Sequence, residues 1–480
     1  MVPVTLAGVW AATQSPPAVT IRYVPAPPRD ERMHYFLVVS RASDGTLQAF
    51  IRNPEANAGV ALGNRTLLVE GAKMYLRAAG KADVVGSASE DRLTIDALPP
   101  DGATVTFHRA KSDELRWYYP RATAQWTYQK PVAGADGWPV GTLAGAGFHE
   151  SPIAGIMQPI VALRSPVLRS PYIQSVAIAR HGRLVLDEYF YGFTAATPHD
   201  VRSAGKSVTT LLVGRAIADT RAFTPQSTVL SMLPQYLPVA NDDARKRRIT
   251  VENLMTMSSG LACDDNDDNS PGNEDVMQSQ TVQPDWYKYT LDLPMSYDPG
   301  SRAVYCTAGI NLLGAIVGGA TRTPLDRYFD RRFAAPMQFE RYALWLMPPP
   351  TDAAYMGGGD YFRPRDFMKF GQLFLNAGKW NGRQIVDASW LRESVVQRTV
   401  MNQDAAGEGD RYGYGWHLLT LEVNGQPYEV INAGGNGGQL MAIVPRLDLV
   451  VMITAGNYNQ YPVWSGFLRQ LVGATIQAAT

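Results

Sequence analysis

Ser203 and Lys206 are the pair whose types and spacing point first to chemistry. Ser203-Ala204-Gly205-Lys206 is the one place in the chain where a lysine follows a serine by three residues. An apolar helical pattern starts there and runs through Val208, Leu211, Leu212, Val213, Ala216 and Ile217. Residues three apart on a helix share a face. A helix N-terminus also leaves backbone N–H groups without intrahelical acceptors. A hydroxyl, a proton acceptor and an anion-stabilising corner therefore meet, and acyl transfer needs all three. The plainer alternative is a capping serine beside an exposed first-turn lysine.

Two further segments belong with this pair. Tyr305-Cys306-Thr307 follows Asp298-Pro299-Gly300-Ser301 and precedes a helical stretch over 309–318. A tyrosine at a loop-to-helix junction can bring its phenol to a neighbouring serine. Its ordinary pKa of about 10 lets it act as a base only beside a cation such as Lys206. Packing under a loop is the alternative fate. The third segment, Asn432-Ala433-Gly434-Gly435-Asn436-Gly437-Gly438, leads into a strand ending at Val444-Pro445. Glycines at that density let a backbone approach a ligand and present N–H groups. A glycine-rich hairpin loop is the alternative there.

Together the three segments resemble the serine β-lactamase and penicillin-binding-protein superfamily, especially its class C-like branch of esterases and peptidases. The elements of that superfamily are Ser-x-x-Lys, Tyr-x-Asn or Ser-x-Asn, and Lys/His-Thr/Ser/Gly-Gly on a sheet edge. They occur here in the same order. The run from Ile249 to Leu261, with its Ser259-Gly260-Leu261 turn, resembles the family as well. So do Gly357-Gly358-Gly359 ahead of a helix with Asp366 and Phe370-Gly371-Gln372-Leu373, and Tyr412-Gly413-Tyr414-Gly415-Trp416. The resemblance covers roughly 135–480.

The resemblance implies an α+β fold and a serine hydrolase. Ser203 would attack a carbonyl, with Lys206 and Tyr305 sharing the proton. Backbone N–H groups of Ser203 and Asn436 would form the oxyanion hole. Thr307, Gly434 and Gly435 would border the substrate, and Trp286, followed by Tyr287 and Tyr289, would line an apolar acyl or alcohol site unless these rings only pack. Two positions depart from the pattern. Thr307 replaces the usual asparagine, which contacts the substrate amide and the catalytic lysine; a threonine is shorter and has no amide donor. Ala433 replaces the cation that binds substrate carboxylates, which argues against penicillin or D-Ala-D-Ala recognition. Cleavage of an ester or unactivated amide is therefore the expected activity, with the ester favoured. The alternatives are a D-amino-acid peptidase or weak β-lactamase, and a catalytically silent binding or sensor protein on the same fold. The expected partner is a small ester, amide or short peptide, with no cofactor and no metal. The resemblance also implies a periplasmic or secreted protein. The N-terminus lacks the charged and apolar regions of a signal peptide, so an exported protein would be represented here by its mature form with Met1 added.

The elements that must hold these residues fall into three parts. Residues 1–115 read as an all-β barrel or sandwich. His34 to Val39 and Thr46 to Ile51 flank a Ser43-Asp44-Gly45 turn as a hairpin, and further strands are expected at 65–70, 74–78, 92–95 and 104–108. Gly8-Val9-Trp10 resembles the opening of a lipocalin-like barrel. Residues 116–150, rich in Trp, Tyr, Gly and Pro, read as a packed linker. Residues 151–480 read as the β-lactamase-like domain: one antiparallel sheet built from both ends of the segment, flanked by helices, plus a helical subdomain. Its strands are expected at 173–179, 183–190, 412–421, 427–432, 438–444 and 447–454. Its helices are expected at 153–163, from Ser203 onward, and at 250–257, 307–320, 324–333, 364–377, 388–395 and 462–478.

Composition narrows the classes further. The chain has 480 residues, 45% of them hydrophobic and 18% charged, with 44 basic and 44 acidic side chains. This length calls for two or more domains. The charge balance gives no electrostatic reason to bind nucleic acid, and no apolar run is long enough to span a bilayer. Cys263 and Cys306, the two cysteines, either form one bridge or sit as small buried apolar residues. Ala204-Gly205-Lys206-Ser207 imitates the end of a phosphate loop, but Asp200 stands where that motif needs glycine. There is no Gly-x-Ser-x-Gly and no His-Glu-x-x-His, and the six histidines are scattered. His149, Glu150 and His417 read as structural. The acidic run Asp264 to Asn269, with Asp275 beyond it, lacks the central glycine of a calcium loop. It reads as a solvated surface loop, and its place between two expected active-site elements would also let it shape the substrate pocket.

Overall fold

The computed structural model describes residues 6–14, 22–25, 33–99, 102–402, 409–460 and 463–480. Met1 and Pro462 lie outside them. The first part carries nine strands: β1 (Gly8–Gln14), β2 (Arg22–Val24), β3 (Met33–Arg41), β4 (Leu47–Arg52), β5 (Arg65–Glu70), β6 (Lys73–Arg77), β7 (Val84–Ala88), β8 (Arg92–Leu98) and β9 (Ala103–Arg109). All but β2 form a closed barrel of sequential antiparallel neighbours, sealed where Trp10 and Ala11 of β1 pair with Arg109 and His108 of β9. Alternation of side chains across the strands sends Leu93, Ile95, Val105 and Phe107 inward, all 0% exposed.

β2 leaves the barrel. It pairs with β13 (Tyr342–Leu346) in the second part, with Trp345 opposite Tyr23. That small sheet has the order β12-β14-β13-β2, where β12 is His199–Asp200 and β14 is Tyr361–Phe362. It carries the chain directly into Ser203. The sequence holds no sign of β2 or β13, because these short strands form through pairing between remote segments.

The main sheet is wholly antiparallel, with the order β11-β10-β22-β21-β20-β19-β18-β17. It joins β10 (Ile173–Arg180) and β11 (Arg183–Tyr189) to β17 (Thr399–Met401), β18 (Asp410–Tyr412), β19 (His417–Val423), β20 (Gln426–Gly435), β21 (Gln439–Val444) and β22 (Leu449–Ala455). A two-strand hairpin, β15 (Lys379–Trp380) and β16 (Arg383–Gln384), lies apart. The central strands are apolar on both sides: all seven residues of β22 are buried. One face packs on the helices Glu150–Val161 and Val463–Ala478, and the other on Gly205–Thr220 and Pro364–Leu375, with Thr307–Thr321 packed on Gly205–Thr220. This is the expected α+β arrangement, built from both ends of the segment.

Several boundaries differ from the sequence reading. The strand expected over 412–421 is broken into β18 and β19 by a turn in which the Gly413 N–H donates to the Trp416 carbonyl oxygen at 2.9 Å and Gly415 leaves the extended region. Gly415, at φ +73°, lets this turn lie on the Ser203 helix, where a Cβ would stand 3.1 Å from the Lys206 carbonyl oxygen. The helix expected over 324–333 runs from Leu325 to Phe329 and then widens into a π turn, Asp330–Ala334. No helix among the described residues is long and apolar enough to cross a membrane.

Candidate active site

β12 delivers the chain to a single 3₁₀ turn, Arg202–Ala204, which runs into the helix Gly205–Thr220. Arg202 has φ +49°, a left-handed conformation that costs a non-glycine residue on the order of 1–3 kcal/mol. Asp200 holds it there, accepting both its backbone N–H and its Nε at 2.9 Å. Ser203 follows this strained residue, and Lys206 lies one turn further on. Lys206 is 1% exposed. Its Nζ donates to Ser203 Oγ at 2.9 Å and to the Gly357 carbonyl oxygen at 2.6 Å. Burial pushes its pKa down, and the carboxylates of Glu274 and Asp265 push it back up.

Tyr305 stands immediately before the helix Thr307–Thr321, whose N-cap is Cys306. The Cys306 sulfur accepts the Gly309 N–H at 3.2 Å. The Tyr305 ring centroid is 5.1 Å from Lys206 Nζ. Burial raises the phenol pKa, and hydrogen bonding with Ser203 opposes that rise. Serine, lysine and tyrosine therefore converge from two helix N-termini.

Backbone closes the site on two further sides. A Cβ on Gly435, the last residue of β20, would stand 2.3 Å from the Val201 carbonyl oxygen and 3.2 Å from the Ala204 nitrogen. Only glycine lets this strand end lie against the serine turn. The exposed Asn436 follows, its side chain exchanging two hydrogen bonds with Asn459 at 2.6 and 2.9 Å. Gly434 is half-buried with open space around it. Gly358, at φ +123°, lies along the other flank, where a Cβ would be 3.2 Å from Ser203 Cα. Ala433 is fully buried, opposite Met441, so no cation stands at that position.

Two expected substrate neighbours are committed elsewhere. Thr307 is 0% exposed, and both its backbone N–H and its hydroxyl donate to Asp265 Oδ2, at 2.8 and 2.5 Å. Trp286 is buried, its ring 5.9 Å from that of Trp345 and 5.7 Å from that of Tyr355. The acidic run is not uniformly solvated. Asn266 to Asn269 are exposed, but Asp265 turns inward. Its Oδ1 accepts the Glu274 N–H at 2.9 Å, and its own N–H donates to the Tyr305 carbonyl oxygen at 2.9 Å. Cys263 and Cys306 form a disulfide beside these bonds. The sequence reading missed Asp265, Glu274 and the Gly357 carbonyl; the cysteines flanking Asp265 and Tyr305 were the available signal. Among the described residues no group of three or more His, Cys, Asp or Glu side chains is arranged to hold a metal.

The fold and this constellation define the serine β-lactamase and penicillin-binding-protein superfamily. Residues 174–461 match the Beta-lactamase family model, and the chain belongs to that family. One curated relative, a "Putative D-alanyl-D-alanine carboxypeptidase" of Escherichia coli (strain K12), is 25% identical over 166 residues, 34% of this chain and 37% of the relative. The chain thus matches well under half the length of that protein. Among solved structures, a "Putative 6-aminohexanoate-dimer hydrolase from Bacillus anthracis" superposes with TM-score 0.55 at 18% identity, covering 77% of this chain and 94% of the other. A "putative beta-lactamase from Bacteroides dorei DSM 17855" gives 0.54 at 18% identity, with 69% and 99% covered. At these identities the likeness is one of fold.

Proposed function

We propose that this protein is a serine hydrolase that cleaves carboxylic esters through an acyl-enzyme on Ser203. The observation that carries this reading is the 2.9 Å contact between Lys206 Nζ and Ser203 Oγ. Ser203 Oγ attacks the carbonyl carbon, and its proton passes to the Lys206–Tyr305 pair. The N–H groups of Ser203 and Asn436 hold the oxyanion, a kind of contact worth about 3–4 kcal/mol per donor. The carbon–oxygen bond then breaks, the alkoxide takes the stored proton, and the alcohol leaves. Water, deprotonated by the same pair, adds to the acyl carbon; Ser203 recovers a proton and the acid departs.

The absence of a cation at Ala433 supports esters over substrates recognised by a carboxylate, such as β-lactams and D-peptide termini. The disulfide supports export to an oxidising compartment, the periplasm or the medium. Intact-mass detection of a fluorophosphonate adduct tests the nucleophile: wild type gains one adduct and Ser203→Ala gains none. Hydrolysis of p-nitrophenyl acetate but not nitrocefin is the expected selectivity. Rapid nitrocefin turnover would move the reading to a β-lactamase, and a wild-type chain that takes no label would move it to a silent sensor.

A further inference from the structure

Asp265 is a candidate for a role in the same reaction, on the reading of Ser203, Lys206 and Tyr305 just given. It touches both residues that flank Cys306, taking two hydrogen bonds from Thr307 and giving one to the Tyr305 carbonyl. The disulfide holds its loop against the same turn. The helix Glu274–Ser279 fixes its other carboxylate oxygen through the Glu274 N–H. These hydrogen bonds of Asp265 are directed at the turn that presents Tyr305 and at the helix that brings a second carboxylate.

We propose that Asp265 is the positioning residue of this site, replacing the missing second-motif asparagine by clamping the Tyr305–Thr307 turn against Gly357, whose carbonyl holds Lys206. An asparagine at position 307 would reach the lysine with an amide. Here the polar group comes from a different loop and carries a charge. Lys206 Nζ donates to Ser203 Oγ and to the Gly357 carbonyl oxygen, and a Cβ on Gly357 would stand 2.5 Å from the methyl of Thr307, the residue that Asp265 holds.

The groups around this pair act in consistent directions. Burial and then the neighbouring Glu274 push the Asp265 pKa up to about 6, against the opposing pull of Lys206 and the Thr307 bonds. Lys206 is destabilised as a cation by burial and stabilised by Glu274 and Asp265. Burial and, more weakly, Lys206 lower the pKa of His417 on β19, and Asp410 opposes them. Tyr355, whose hydroxyl donates to Glu274 Oε1 at 2.9 Å, Tyr305 and the adjacent Asp264 are further ionisable groups near Asp265. Removing the Asp265 charge therefore makes Lys206 more acidic. Whether Lys206 is needed neutral as the base or protonated beside a tyrosinate, the limb it controls moves to lower pH.

The test is the pH profile of kcat/KM for p-nitrophenyl acetate with the full chain. Asp265→Asn should move the Lys206-controlled limb down by about one pH unit and lower the plateau at least tenfold. Thr307→Val, which loses one hydrogen bond but no charge, should lower Tm and leave the limb in place. If Asp265→Asn fails to fold, Asp265→Ser takes its place: its hydroxyl is uncharged and still offers an acceptor to the turn, and the limb should move the same way. An unmoved limb in whichever Asp265 variant folds overturns the proposal. Fluorophosphonate labelling of wild type separates the two claims, because a labelled Ser203 with an unmoved limb removes Asp265 alone, whereas an unlabelled chain removes the nucleophile as well.

Discussion

Cys263 and Cys306 are bonded across 43 residues of sequence, and the bond joins the loop of Asp265 to the turn of Tyr305. A cross-link closing a loop of this length stabilises a fold by about 2–4 kcal/mol, in the chain-entropy account by restricting the unfolded chain. Cys263→Ala removes it while leaving the Cys306 sulfur as acceptor for Gly309. Urea denaturation should show a loss of that size. Activity should fall under conditions where the variant is still fully folded, because Tyr305 loses its tether.

Lys206 and Tyr305 should behave as one unit. Lys206→Ala and Tyr305→Phe are each expected to lower kcat/KM by about 10²–10⁴-fold. The double variant should be little worse than either single one, since either loss already disables the shared proton transfer. Full additivity in ester hydrolysis would show that the two side chains work independently.

Gly435 is a steric test of the proposed oxyanion corner. A methyl group there would stand 2.3 Å from the Val201 carbonyl, so β20 and the serine turn must separate. Gly435→Ala should cost about 1–3 kcal/mol of stability and remove most activity. Gly434→Ala, with open space around it, should keep the wild-type Tm. Equal Tm values for the two variants would contradict the close approach.

His199 predicts acid sensitivity. It is 3% exposed, its Nδ1 lies 2.9 Å from Gln174 Oε1, and its Nε2 is buried without a hydrogen-bond partner among the described residues. Burial lowers its pKa to about 3, against about 6.5 in an unfolded chain. The unfolded state therefore binds the extra proton first. The stability from neutral His199 is complete above pH 6.5 and is lost as pH falls toward 3, by ~2 kcal/mol at pH 5. Urea midpoints at pH 7 and pH 5 should differ less in His199→Gln than in wild type.

Much of this arrangement was legible in the sequence, for reasons that particular residues make clear. Ser203 and Lys206 were readable because one helical turn fixes their relation locally. β5 was readable because its turns and apolar residues lie within it, and the main-sheet hairpins for the same reason. Asp265 was not. Its loop looks like any polar loop until a remote turn supplies three hydrogen bonds and a disulfide. Thr307 was read by its place in a motif, whereas its burial depends on Asp265 and Gly357. The aromatic run from Tyr412 to Trp416 has the composition of a strand but is bent against the Ser203 helix, a contact between segments two hundred residues apart.

The path of β2 bears on how the two halves depend on each other. Arg22–Val24 departs from the barrel to form the rim of the sheet that ends at Asp200, two residues before the strained Arg202. From another side of the barrel, the Asn57 amide donates at 3.0 Å to the Tyr458 carbonyl, next to the Asn459 that grips Asn436. The barrel is thus laced into both banks of the cleft. Excising it would withdraw contacts from the turn of Ser203 and from the Asn436 loop together.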